Sequence, residues 1–167
     1  MATNFFYHGS TGTRSGVGVI VSERYRDATA EVQRFDDRLM KIVITTVELR
    51  LQFSSAYAPQ TDCSERVKDD FWTLLDEKTV EVPSEDRMVV TGDLDGNVAV
   101  SKSDYNCHDG FGYRTRNEDG EGILEYDGSH NFVITNTWFK KRMSHLVSFY
   151  SDVTKIQIDY VLVRHQD

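Results

Sequence analysis

The chain has only two cysteines and two prolines in 167 residues, and no long hydrophobic run. Cys63 and Cys107 stand in polar surroundings without CxxC spacing, which argues against a disulfide framework or a zinc site and agrees with a reducing compartment. No segment approaches the ~20 apolar residues needed to cross a bilayer, so no membrane partner is expected. The N-terminus, Met-Ala-Thr-Asn-Phe-Phe-Tyr-His, has neither a basic nor an apolar signal region. An intracellular protein, nuclear or cytoplasmic and not secreted, is therefore expected. Repeats and low-complexity linkers are absent too. At this length and with 28% charged residues, residues 1–167 read as one globular domain.

Positive charge is also scarce. The net charge is -8, and residues 62–128 alone hold 18 Asp/Glu against 7 Lys/Arg. Proteins that hold nucleic acid through its phosphates are usually basic. Any nucleic-acid contact here must use a bound cation or a local patch, such as Arg114/Arg116 or Lys140-Lys141-Arg142.

What is present is a set of apolar runs that stop at acidic or phenolic residues. Met88-Val89-Val90 leads into Thr91-Gly92-Asp93-Leu94-Asp95-Gly96. The alternating Leu49, Leu51 and Phe53 lead into Tyr57, and Ile156 and Ile158 lead into Asp159. Acidic groups at several strand ends can converge where a divalent cation and a phosphate are held. Taken singly, Asp93 is also a turn former, Tyr57 a half-buried tyrosine, and Asp159 a partner for Lys155.

Periodicity predicts strands at 16–21, 39–44, 48–53, 87–91, 132–136, 146–150 and 156–163. Asp62 and Glu65 read as a capping box opening a helix with Val67, Phe71, Leu74 and Leu75 on one face, ending near 80–83. A weaker helix is expected from 117–119, with Asp127-Gly128 fraying its end. Residues 95–117 read as a long polar loop. This order departs from regular βα alternation. It predicts an α+β fold, a two-sheet β-sandwich flanked by helices.

Four motifs then carry a resemblance: Ser-Ala-Tyr-Ala-Pro-Gln, Thr-Gly-Asp-Leu-Asp-Gly, Thr-Asn-Thr-Trp-Phe and Gln-Ile-Asp-Tyr-Val-Leu. In this order they resemble the endonuclease/exonuclease/phosphatase superfamily, with its deoxyribonuclease I-like fold. Residues 14–19, 112–121 and 144–150 are similar to one branch, the endonuclease domains of non-long-terminal-repeat retrotransposons and the craniofacial development protein 2-like proteins. The resemblance implies a metal-dependent phosphodiester hydrolase acting on DNA, with Mg2+ or Mn2+ as cofactor. By motif, Asp93 resembles the carboxylate that activates water and Tyr57 the tyrosine on the scissile phosphate. Asp159 resembles the aspartate that orients a catalytic histidine. Thr137, Trp138, Arg114 and Arg116 fall beside the nucleic acid, and Asp93 and Asp95 at the metal.

Three departures from the pattern imply impairment. Asp95 stands where the family has Asn, and an ionised carboxylate cannot donate a hydrogen bond to phosphate. Phe6 to Ser10 resemble the loop after the family's metal-binding Glu, so the Asn and Glu strands are expected to be missing. The closing Ser-Asp-His strand is likewise expected to be missing, which makes the fold incomplete and predicts self-association through exposed sheet edges. The alternative reading is a non-catalytic remnant that binds nucleic acid or protein.

Overall fold

The computed structural model describes residues 3–12, 15–98, 115–138, 141–151 and 154–165. Arg114 and most of the expected 95–117 loop lie outside the described residues.

The strands are β1 (Asn4–His8), β2 (Val17–Val21), β3 (Thr29–Asp36), β4 (Leu39–Thr45), β5 (Arg50–Tyr57), β6 (Arg87–Asp93), β7 (Phe132–Ile134), β8 (Phe149–Ser151), β9 (Thr154–Ile156) and β10 (Asp159–Arg164). The helices are α1 (Glu23–Arg26), α2 (Glu65–Val80) and α3 (Glu118–Ser129). Six strands form one sheet in the order β3-β4-β5-β6-β10-β7, while β1-β2 and β8-β9 are two-stranded ribbons.

Alternation splits the large sheet into two faces. Leu39, Ala56, Met88, Val90, Tyr160 and Leu162 face α2 and α3, and with Phe71, Leu75, Ile123 and Leu124 they form the main core. The other face carries Met40 and Ile42, packed on Val17, Val19 and Val21 of β2. The β1–β2 ribbon thus supplies the second sheet layer over the β3–β5 half. Its outer face leaves Phe5, Tyr7 and Ile20 exposed.

Several expectations need correction. Of residues 6–10, expected as a loop, Phe6 to His8 instead belong to a strand, because residues 4–8 pair with β2 in unbroken register from Asn4↔Val21 to His8↔Val17. The eight-residue β3 was not anticipated; its sequence Thr-Ala-Glu-Val-Gln-Arg-Phe-Asp offers little apolar alternation, and pairing with β4 makes it a strand. Helix α2 starts at Glu65 with Ser64 as its N-cap, without a side-chain cap bond, so the Asp62 capping box does not form. Phe71, Leu75 and Thr79 are buried on its inner face, whereas Val67 is exposed. Helix α3 runs through Asp127-Gly128 without fraying, because Tyr126 and Asp127 are buried beneath it. It starts where expected, and the Asn117 side chain caps it, accepting from Gly120 N at 3.0 Å. The expected strand at 132–136 ends at Ile134 and gives way to a 3-10 turn over Thr135–Thr137. At 146–150 only Phe149 and Tyr150 enter a strand.

Candidate active site

Strand pairing brings the three strand-end residues into one row. Tyr57 on β5 is opposite Asp93 on β6, and Asp93 is opposite Asp159 on β10. The alternation places all three on the face away from the helices, beyond the edge of the ribbon. Backbone bonds lock the row: Ala58 N donates to Asp93 O at 2.8 Å and Leu94 N to Ile158 O at 2.8 Å.

Gly92 sits beneath the row. Its φ of 147° lies in a region that side-chain-bearing residues rarely adopt. An added Cβ would also collide with the Ala56 carbonyl oxygen on β5. The close β5–β6 approach next to Asp93 therefore requires glycine.

Asp93 is half-buried, and burial raises its carboxyl to about 6. The Asp95 backbone N–H, 3.1 Å from Oδ1, pulls the other way, while the Asp159 and Asp95 charges raise it further. A carboxylate near neutrality can take a proton from water at working pH.

Asp159 is exposed at the start of β10 and is held from two sides. Ser148 Oγ accepts from Ile158 N at 3.0 Å and from Asp159 N at 3.1 Å. Asn136 reaches from β7's end, accepting from Val161 N at 2.7 Å and donating to Asp159 O at 3.2 Å. Its side chain continues the β7–β10 pairing where the β7 backbone turns away. Tyr57 has the Arg38 guanidinium over its ring, 5.2 Å from the centroid, and Arg38 Nη1 donates to the Tyr57 and Ala58 carbonyls. Arg38 lies in none of the motifs, and although Gly92, Asn136 and Ser148 fall within the similar stretches, their roles escape sequence reading because they are contacts across strands.

Asp95 is placed differently. It has a positive φ of 47°. Its Oδ2 accepts from Thr61 N at 2.5 Å and from Thr61 Oγ1 at 3.2 Å. Thr61 Oγ1 also donates to Asp119, which Lys68 pairs at 2.9 Å. Burial raises the Asp95 carboxyl; the Thr61 bonds and Lys68 lower it, and Asp119 raises it. The Asp95 loop is pinned further to α3, since Asn117 Oδ1 accepts from Asn97 N at 2.7 Å. Asp95 is thus a clasp between the loop and the starts of both long helices, and its carboxylate is engaged by Thr61.

Thr137 is fully buried and its hydroxyl donates to Ile134 O at 2.9 Å. This corrects its reading as a substrate contact: it fastens the 3-10 turn. Trp138, the next residue, is 45% exposed and open to a ligand. Arg116 is exposed just before α3.

Among the described residues, no group of three His, Cys, Asp or Glu is arranged to hold a metal. The donor chemistry of the row still suits a magnesium-like cation. Such an ion keeps several waters and needs only one or two carboxylates plus substrate phosphate. Asp93 and Asp159 are two carboxylates whose mutual repulsion a cation would relieve.

No family model matches the chain. It is 27% identical over 155 residues to craniofacial development protein 2 of Bos taurus, spanning 92% of this chain and 26% of that protein. The structure resembles the endonuclease domain of TRAS1, a telomere-specific non-LTR retrotransposon, with a TM-score of 0.63 at 10% identity. That match covers 96% of this chain and 67% of the other. An endonuclease/exonuclease/phosphatase family protein from Leptotrichia buccalis C-1013-b matches with a TM-score of 0.62 at 13% identity, over 99% and 61%. D. rerio TDP2, complexed with single strand DNA product, matches with a TM-score of 0.60 at 11% identity, over 99% and 63%. The chain therefore spans about a quarter of the curated relative and about two thirds of the solved ones. The α+β architecture is the deoxyribonuclease I-like fold, and the resemblance to the endonuclease/exonuclease/phosphatase superfamily stands. No helix among the described residues is long and apolar enough to cross a membrane.

Proposed function

We propose that this chain is an endonuclease-type, metal-dependent phosphodiester hydrolase domain of the retrotransposon kind, with weakened activity. The observation that carries the reading is the in-register row of Tyr57, Asp93 and Asp159 across three adjacent strands. Asp93, poised near neutrality, orients the attacking water and accepts its proton. Tyr57 donates a hydrogen bond to a phosphate oxygen, and Asp159 sustains the basicity of Asp93. Asp93 and Asp159 would hold Mg2+ or Mn2+, which when bound neutralises the charge growing on the phosphate. Trp138 and Arg116 flank a DNA substrate, by analogy with the DNA-bound TDP2 neighbour. Asp95 has a place at the metal only through the Asp93 loop, because Thr61 occupies its carboxylate.

The weakening rests on Asp95. Its negative charge stands in the loop where the family has an amide donor, and like charge opposes phosphate approach. The same clasp supports the second reading, a non-catalytic module that keeps the fold and binds nucleic acid or protein. Self-association through the exposed Phe5, Tyr7 and Ile20 of the ribbon belongs to either reading.

Nicking of supercoiled plasmid in magnesium and in EDTA, with Asp93→Ala alongside, tests the proposal. Metal-dependent nicking that disappears in Asp93→Ala is expected. A folded sample that leaves the plasmid intact in magnesium rules out the hydrolase and leaves the binding module.

A further inference from the structure

The acid excess of residues 62–128, 18 Asp/Glu against 7 Lys/Arg, opposes phosphate binding and has no part in the hydrolytic row. Much of it is gathered along a groove between α2 and α3, on the helix layer and away from the face that carries Tyr57, Asp93 and Asp159. The groove has a volume of about 780 Å3. Its α2 wall runs from Glu65 to Asp76, about 16 Å at the helical rise. Trp72 of α2 and Tyr126 of α3 give it an aromatic lining, with ring centroids 5.6 Å apart. Trp72 is only partly buried, and its indole N–H has no hydrogen-bond partner among the described residues. Gly122 faces it from α3. A Cβ there would stand 3.7 Å from the indole nitrogen, so the glycine leaves the ring open to the groove.

The charge along this groove is not balanced from within. Seven carboxylates line it, and Lys68 is the one Lys or Arg among its described lining residues. Lys68 is already shared by Asp119 at 2.9 Å and Glu65 at 3.5 Å, and Asp76 pairs with His130 at 2.6 Å. Asp69, Glu118, Glu121 and Glu125 are exposed and have no ion pair among the described residues. The helix dipole accounts for Glu118 and Glu121, which stand in the first turn of α3. It does not account for Glu125 or Asp69, which lie beyond the first turns of their helices. Glu121 repels Glu125 and Glu65 repels Asp69 at the four-residue spacing where like charges destabilise a helix. The complement of a concave, aromatic and unneutralised acidic surface is a cation with a flat apolar face. A nucleic acid, or a second copy of this chain with its net charge of -8, would be repelled.

We propose that the α2–α3 groove docks an arginine-rich peptide segment of a partner protein, with one guanidinium stacked on Trp72 and others paired with Asp69, Glu121 and Glu125. Arginine suits the site better than lysine. Its planar guanidinium is weakly hydrated, stacks on aromatic faces and pairs with carboxylates through two parallel hydrogen bonds. An extended segment rises about 3.3 Å per residue, so about five residues span the groove. The segment leaves the row of Tyr57, Asp93 and Asp159 uncovered, because the two surfaces lie on opposite faces of the sheet. The docking therefore stands whether or not the row hydrolyses phosphodiesters.

Fluorescence anisotropy with a labelled peptide of alternating arginine and glycine tests the proposal, beside a lysine-glycine peptide of equal length and charge. The full chain is expected to bind the arginine peptide several-fold more tightly than the lysine one. Glu121→Gln with Glu125→Gln should weaken the arginine peptide about fivefold, since exposed charge contacts contribute ~0.2–1 kcal/mol each. Glu23→Gln with Glu48→Gln removes the same charge from exposed positions outside the groove and should change binding little. Gly122→Leu covers the indole without removing it, and should weaken the arginine peptide several-fold while the melt confirms an intact fold. Equal losses in the two glutamine pairs would show a diffuse effect of net charge and overturn the proposal. Parity of the two peptides, or unchanged binding in a folded Gly122→Leu protein, would overturn it as well.

Discussion

The two faces of the six-stranded sheet are built on different terms. The helix-covered face buries a continuous apolar layer that includes Leu39, Val90, Ile123, Ile134 and Leu162, each fully excluded from water. The ribbon-covered face has five buried apolar residues, and it carries Tyr57, Asp93 and Asp159 where the ribbon ends. Cohesion is concentrated on one face and the candidate site on the other. The reason is physical: carboxylates need water or a cation, and a tightly packed layer offers neither.

Breaking the junction between the faces should have the largest effect. Gly92→Ala places a Cβ against the Ala56 carbonyl at a φ that alanine avoids. A loss of about 4 kcal/mol or more is expected, at the exceptional end of single substitutions. Urea denaturation would measure it, and a near-normal midpoint would mean β5 and β6 can separate without cost. Within the faces, Leu162→Ala should cost about 2–5 kcal/mol as a core truncation. Val19→Ala, on the ribbon side, should cost about 1.5 kcal/mol for two lost carbons. Equal losses would show that the ribbon is as integral to the fold as the helices.

Asp127 is one of several buried polar groups that break the apolar pattern of the cohesive face, with Lys41, Gln52 and Thr79. Asp127 is fully buried on α3, and neither carboxyl oxygen has a partner. Burial raises its pKa well above the ordinary carboxylate value. The folded state then holds the proton more tightly than the unfolded state. Stability is therefore greatest below the unfolded pKa of about 4 and falls as pH rises towards the folded one. Asp127→Leu should add about 1–3 kcal/mol at pH 7 and remove this decline. A variant less stable than the parent at pH 7 would mean that the carboxyl has a compensating partner.

Asp93 obeys the same sign on the exposed face. Its raised value of about 6 means stability is lost as pH climbs from about 4 to about 6. A divalent cation needs the deprotonated form, so magnesium should raise the melting temperature at pH 7.5 and fail to do so at pH 5. The gain is about 1 kcal/mol when magnesium stands at about five times its dissociation constant. Asp93→Asn should abolish it. A gain that survives in this variant would place the cation elsewhere.

The contrast between the faces also explains what could be read from the chain. Strands β4, β5, β6 and β10 were legible because they alternate or run apolar into the main core. Strand β3 was not, because its inward positions carry Glu31 and Gln33, which line a polar cavity. Helix α3 continues past Asp127-Gly128 because tertiary burial outweighs the local glycine cost. At the site, Asp93, Tyr57 and Asp159 were visible as strand-end residues within motifs. Their convergence was not, since it depends on the β5–β6 and β6–β10 registers. Thr137 misled because a motif does not reveal burial, and Asp95 because a loop carboxylate does not reveal which way it is held.

Asp95 offers the smallest and most discriminating test. An asparagine there retains a carbonyl oxygen for Thr61 N and Oγ1, so the clasp should persist and stability should change by no more than about 0.5 kcal/mol. The substitution removes one negative charge near Asp93 and supplies an amide that can donate a hydrogen bond to a phosphate oxygen. Asp95→Asn should therefore increase metal-dependent nicking while leaving the melt nearly unchanged. The Asp93 carboxyl should fall slightly at the same time, because one of the charges raising it is gone. A variant that melts like the parent yet nicks no better would show that the clasp, rather than the charge, is what Asp95 contributes. A large loss of stability would show the opposite dependence: Lys68 and Thr61 need the full carboxylate charge to hold the loop against the two helices.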